Sequence, residues 1–116
     1  MDRLTEFGEE LRHFVRERDW EQFQTPKNLV MALAGEVGEL IAEFQWLTPE
    51  QSEAVMSDAE HGARVEAEIG DVMIYLMGLA GRLGVDLVDA ARSKLADSGR
   101  RYTVEASRGS IAKIKA

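Results

Sequence analysis

The chain has 116 residues, of which 30% are charged, with a net charge of −7 and no cysteine. This length suits one domain with a modest core. The acidic balance and the lack of any Lys/Arg run exclude a nucleic-acid polymer as partner, since no basic stripe can track phosphates.

Without cysteine, disulfides and thiolate metal sites are also excluded, and the compartment is left open. A small anion such as a nucleotide is still admissible if a metal ion sits between it and the protein. The opening stretch "MDRLTEFGEEL" is charged and lacks the apolar centre of a signal peptide, and its periodicity predicts a helix over 3–19. In "TPKN", Thr25 can cap and Pro26 can take the first helical position, where its missing N–H is no loss; a helix over 26–47 follows. "TPEQ" repeats the signal at Thr48 and Pro49, with Gln51 placed for a capping box and a short helical link over 49–56. Ser57 and Glu60 offer another box ahead of a helix over 58–83. "GVD", Gly84 to Asp86, reads as a stop and a new cap for a helix over 86–98.

No period-two strand pattern occurs. The longest uncharged apolar run, Val72 to Gly81, is well short of the ~20 residues a membrane span needs. The expected protein is soluble, cytoplasmic and all-α, a four-helix bundle-type subunit. Its domain is expected over 1–103, followed by a basic, mobile tail over 104–116.

The helix over 26–47 carries an anomaly. Leu33, Val37, Leu40 and Phe44 recur at helical spacing, yet Glu36, Glu39 and Glu43 keep the same spacing at the edge of that apolar stripe. The helix over 58–83 repeats the wheel: Val65, Ile69, Val72, Leu76 and Leu83 form the stripe, Glu68 and Asp71 flank it, and Tyr75 takes the place of Glu43. "EVGELIAE" even aligns with "EIGDVMIY". If the two helices pack through these stripes, Glu36, Glu39, Glu68 and Asp71 converge on one point.

Two readings are open for such acids. They are either solvated flanks of amphipathic helices, or a cage of hard oxygen ligands for a divalent cation that offsets their repulsion. The second is favoured by two matched pairs with no Lys or Arg at hand to neutralise them. Di-iron bundles use a Glu-x-x-His pair; His13 and His61 lie in neither motif, so redox iron is disfavoured, and His61 reads as a surface residue. The far sides of these helices are apolar or small as well: Met31, Ala34, Gly35, Gly38 and Ala42 on one, Gly70, Ile74, Met77 and Gly81 on the other. A helix apolar on both sides is buried on both sides, so a homo-oligomer is expected.

These motifs resemble a known family. Glu36-x-x-Glu39 followed by Glu68-x-x-Asp71 is similar to the signature of the all-α nucleoside triphosphate pyrophosphohydrolases. "RDWEQFQTPKNLVMALAGEVGELIAEFQW" and "EIGDVMIYL" resemble its MazG-like branch, on the dCTP pyrophosphatase side, over roughly residues 10 to 103. The resemblance implies Mg²⁺ held by Glu36, Glu39, Glu68 and Asp71, with Glu36 the candidate to orient or deprotonate the attacking water. It implies α–β cleavage of a nucleoside triphosphate, with release of a monophosphate and pyrophosphate. Trp20, Trp46 and Tyr75 match base-contacting positions, Lys94 and Arg101 match phosphate-contacting ones, and Tyr102 follows them in the family's manner. Taken alone, Trp20 and Trp46 would read as core anchors, and Lys94 and Arg101 as a solvated face. The implied assembly is a homotetramer, a dimer of dimers, in which a neighbouring chain completes the base pocket.

The chain departs from the family at Leu11 and Gln24, which stand where base-side histidines are usual, and at Ser98 and Thr103, which replace an asparagine and a proline. Base preference is therefore open between dCTP and other or modified pyrimidine nucleotides. Two alternatives stand beside the leading reading: another superfamily hydrolase of the phosphoribosyl-ATP or dUTP type, and a non-catalytic helical interaction module.

Overall fold

In the computed structural model, which describes residues 1–115, each long helix begins on a side chain that satisfies its first free N–H groups. Asp2 accepts from Thr5 N at 2.8 Å to start α1, Arg3–Glu17. Thr25 accepts from Asn28 N ahead of α2, Pro26–Phe44. Thr48 and Gln51 complete the expected capping box of the short α3, Pro49–Glu53. Asp58 caps α4, Ala59–Leu83, and Asp86 caps α5, Leu87–Arg101. A last turn, α6, spans Val104–Ser107. No strand occurs among the described residues, so the all-α expectation holds.

The differences from the expected boundaries have local causes. Helix α1 stops before residue 19 because Asp19 takes a left-handed φ of 52°. Trp20 N then bonds to Val15 O at 3.0 Å and Asp19 N to Arg16 O at 3.0 Å, a Schellman stop made without glycine. Helix α2 ends at Phe44 in a turn closed by Leu47 N to Phe44 O. Helix α4 is capped by Asp58 and not Ser57: Ser57 belongs to the 3-10 turn Val55–Ser57, and Asp58 Oδ1 accepts from His61 N at 3.0 Å. The stop at Gly84, φ +69°, falls where expected. In the tail, α6 is capped by Thr103, which accepts from Ala106 N, and Ile114 N donates to the Tyr102 hydroxyl at 3.2 Å.

The chain divides into two compact units, Met1–Gly84 and a second that begins at Val85. In the first, α2 packs along α4, with α1 against α4. The buried apolar residues are Val15, Leu29, Val55, Val65 and Ala80. The helix contact is rotated from the expected stripes. Val65 is buried, and Leu33, Leu40, Phe44 and Val72 are half-buried, but Val37, Ile69, Leu76 and Leu83 lie exposed. Glu36 and Glu68 are therefore more enclosed than the apolar residues that follow them. Met77, expected on an open far side, instead has its Cε 3.6 Å from the Cβ position of Gly8 on α1.

Leu29 is only 2% exposed and its Cδ2 lies 3.5 Å from the Cβ position of Gly78, so it ties α2 to α4 through the core. Leu29→Ala is expected to lower stability by about 2–4 kcal/mol through lost transfer energy and a residual cavity, read as a lower thermal-denaturation midpoint.

Candidate active site and metal centre

Helix α2 places Glu36 and Glu39 three residues apart, hence on one face, and α4 does the same for Glu68 and Asp71. Packing the two helices together brings one carboxylate oxygen from each of the four residues to within 4.8 Å of the others. The expected convergence is thus present. Glu36, Glu68 and Asp71 are half-buried and Glu39 is exposed.

Electrostatics sets a high cost on this arrangement. The Glu36 pKa is pushed up to about 7, first because its proton can be shared with Glu39, then by burial and by the charges of Glu39, Asp71 and Glu68. Glu68 is also raised, chiefly by burial and then by Glu39, Asp71 and Glu43. Both groups hold a buried oxygen, Glu36 Oε2 and Glu68 Oε2, without a hydrogen-bond partner. A buried acceptor with nothing to accept from is costly. Four hard oxygens, two of them unpartnered and all mutually repelling, fit a divalent cation such as Mg²⁺.

A cavity of about 160 Å³ opens beside the cluster in the same unit, and Glu36 and Asp71 form part of its wall. Trp20, Gln24 and Tyr75, all expected to meet substrate, line it too. The Schellman stop of α1 turns Trp20 back on Phe14, with ring centroids 5.8 Å apart in an edge-on pair. Arg82 Nη1 donates to Glu21 O at 3.0 Å, tying the turn after Trp20 to the end of α4. Tyr75 follows Asp71 by one turn of α4 and so faces the same space.

The remaining candidate residues divide between the cavity wall and other places in the fold. Leu11 lies in the cavity wall and makes that part of it apolar. Phe14 lines the cavity without having been singled out from the sequence, and Ile74, expected on the far side of its helix, lines it too; Phe14 is legible as an apolar residue six before Trp20, but only the α1 stop pairs them. Trp46 is 86% exposed beyond the end of α2 and is not part of this wall. Lys94 and Arg101 lie seven residues apart on α5, and Tyr102 closes that helix through Tyr102 N to Ser98 O at 2.7 Å. His61 was read as a surface residue, but it is half-buried, with Nε2 2.8 Å from Glu43 O. Among the described residues no Lys or Arg is paired with the four acids; Arg64, one turn before Glu68, instead donates Nε to Glu43 Oε1 at 3.0 Å.

The raised carboxyls make the metal-free protein sensitive to pH. Between the unfolded value of 4.5 and about 7, folded Glu36 keeps a proton that the unfolded chain has released. Stability therefore falls as pH rises through that window. Thermal midpoints in chelator across pH 4.5–7.5 are expected to decline with rising pH, and Glu36→Gln is expected to flatten the decline.

Comparison with known proteins places these features in a family. Residues 30–115 match the MazG-like family. The chain is 46% identical over 100 residues to dCTP pyrophosphatase 1 of Bos taurus and 45% identical to that of Homo sapiens, in each case over 86% of this chain and 59% of the relative. It thus spans little more than half the length of these relatives. A crystal structure of a pyrophosphatase from Archaeoglobus fulgidus superposes with a TM-score of 0.83 at 32% identity, covering 89% of this chain and 94% of that one. The matched residues include both acid pairs, and the chain belongs to the MazG-like family.

Proposed function

We propose that this protein is a Mg²⁺-dependent nucleoside triphosphate pyrophosphohydrolase. It hydrolyses the α–β phosphoanhydride of dCTP or a modified pyrimidine deoxynucleotide, releasing the monophosphate and pyrophosphate. The observation that carries this reading is the four-carboxylate cluster, with two unpartnered buried oxygens, two of whose members, Glu36 and Asp71, stand in the wall of an aromatic-lined cavity. Relatives named dCTP pyrophosphatase 1 support the substrate class.

Glu36, Glu39, Glu68 and Asp71 would hold the cation. When bound, the ion would neutralise the triphosphate and favour ionisation of the attacking water. Glu36, which lines the cavity and has a free Oε2, accepts the proton that water loses. The other three carboxylates orient rather than react. Trp20, Phe14 and Tyr75 offer faces and edges to the base, a contact tolerant of base identity. The Gln24 amide, a donor and an acceptor at once, reads the base edge, while Leu11 leaves that side apolar. Lys94 and Arg101 enter the reading as phosphate contacts on their charge and the family resemblance, and Tyr102 as a substrate-binding position on the resemblance.

The reading includes a catalytic domain over 1–103, a cytoplasmic setting and a homotetramer built as a dimer of dimers. Support for assembly is the uncovered apolar surface: Val30, Val37 and Ile41 along α2, with Ile69, Met73 and Leu76 along α4. Ile41 is 58% exposed and Ile69 54%, unusual for a lone chain with so small a core. In such an assembly, the exposed Trp46 is free to reach a neighbour's pocket.

The direct test is incubation with Mg²⁺ and a panel of canonical and modified dNTPs, with products separated by ion exchange. Monophosphate and pyrophosphate are expected, and Glu39→Gln and Asp71→Asn are each expected to abolish turnover while leaving the fold intact. Diphosphate and phosphate would refute the bond assignment, and no turnover of any nucleotide would favour an interaction module.

Assembly has its own test at Gly38, whose Cβ position meets nothing within 4 Å in the single chain. In a monomer, Gly38→Ala would stabilise the helix by about 0.5–1 kcal/mol. The expected result is the opposite: a lower melting temperature and a smaller mass by light scattering, because the added methyl meets a second copy.

A further inference from the structure

Arg64 presents a problem that the proposed chemistry has to solve. It lies on α4 one turn before Glu68, the spacing at which side chains on a helix surface meet. Tethered there, its guanidinium is always at high local concentration beside the acids. Arginine forms strong paired bonds with carboxylates. An arginine resting on Glu68 and Glu39 would neutralise the cluster and occupy the space a divalent ion needs.

It does not rest there. Its Nε donates to Glu43 Oε1 at 3.0 Å. Glu43 follows Glu39 by one turn of α2, as Arg64 precedes Glu68 by one turn of α4. The ion pair therefore borders the cluster on its α2 C-terminal side. Glu43 is well placed to hold it, with a side chain only 19% exposed against 56% for Arg64. It is anchored in turn by His61, whose Nε2 lies 2.8 Å from Glu43 O and 3.3 Å from Glu43 Oε1. The backbone contact also satisfies a carbonyl in the last turn of α2, which has no partner within the helix.

We propose that Glu43 is a positioning residue that holds the Arg64 guanidinium outside the acidic cluster and so keeps Glu39 and Glu68 open to a divalent cation. This role rests on the metal reading above and adds a function to a carboxylate outside the four ligands. It distinguishes Glu43 from a fifth ligand: its value lies in occupying Arg64, and disappears when Arg64 is absent.

A double-mutant cycle in the full chain tests this, with Mg²⁺ alone as the titrant and calorimetric affinity as the readout. Glu43→Ala is expected to weaken Mg²⁺ binding by about tenfold, because Arg64 is released onto Glu68 and Glu39. Arg64→Gln alone should change affinity by less than about threefold, and the double variant should return to within about threefold of wild type. The decisive comparison is the gain from removing Arg64, which should be large in the Glu43→Ala background and small in the wild type. Equal gains in both backgrounds would overturn the proposal, since the two charges would then act independently through their fields. A double variant as weak as Glu43→Ala would also overturn it, making Glu43 a ligand or a structural support. Should Glu43→Ala lose helical content, Glu43→Gln keeps the side-chain bulk and carries the same comparison. A wild-type chain that bound no Mg²⁺ would instead refute the metal assignment, and this role with it.

Discussion

Repulsion among four carboxylates is the constraint around which the first unit is arranged. Glu36, Glu39, Glu68 and Asp71 would be least costly apart and in water, yet the α2–α4 contact gathers their oxygens within 4.8 Å. Burial and proximity raise Glu36 and Glu68, and two of their oxygens find no donor. A fold does not tolerate this for packing alone, because apolar residues at these positions would pack at no electrostatic cost. A shared proton relieves part of the repulsion, and a divalent cation would relieve more, which is why the site reads as a candidate metal centre.

Several other features follow from keeping that cluster open and aimed. The helices meet on an arc rotated toward the acids, so Leu29, Val65 and Ala80 are buried while Val37 and Ile69 turn outward. The stability lost to enclosed acids must then come from elsewhere, and the outward apolar stripe offers a second surface to bury. Enclosing the carboxylates turns part of the apolar stripe outward, where Val37 and Ile69 are exposed. At the α2 end, Arg64 is held by Glu43 and His61 rather than by the cluster, so the charge that a lone helix would place on Glu68 is diverted.

The cavity depends on a different local device. A left-handed Asp19 ends α1 abruptly, returns Trp20 to Phe14, and leaves both rings beside Glu36 and Asp71. Arg82 then secures the turn that follows. Aromatic surface and anionic oxygens, opposite in their preference for water, are thereby brought to the walls of one space. A nucleotide has the same division between base and phosphates.

Much of this was written in local sequence. Caps at Thr25, Thr48 and Asp86 and the stop at Gly84 depend on residues within one turn of each other, so the helices were legible from their own chemistry. The acid pairs were legible for the same reason, since three-residue spacing places two carboxylates on one helical face whatever the helix packs against. The sequence by itself therefore determined an all-helical chain, the four candidate ligands and the family they belong to. Only the tertiary structure decided which arc of each helix was covered, because that depends on the shapes of both helices at once. It alone paired Phe14 with Trp20, put Trp46 outside the cavity wall, enclosed His61, and gave Arg64 to Glu43 in place of Glu68. Each of these joins residues from different segments or turns on a single backbone torsion, and neither appears in the periodicity of one helix.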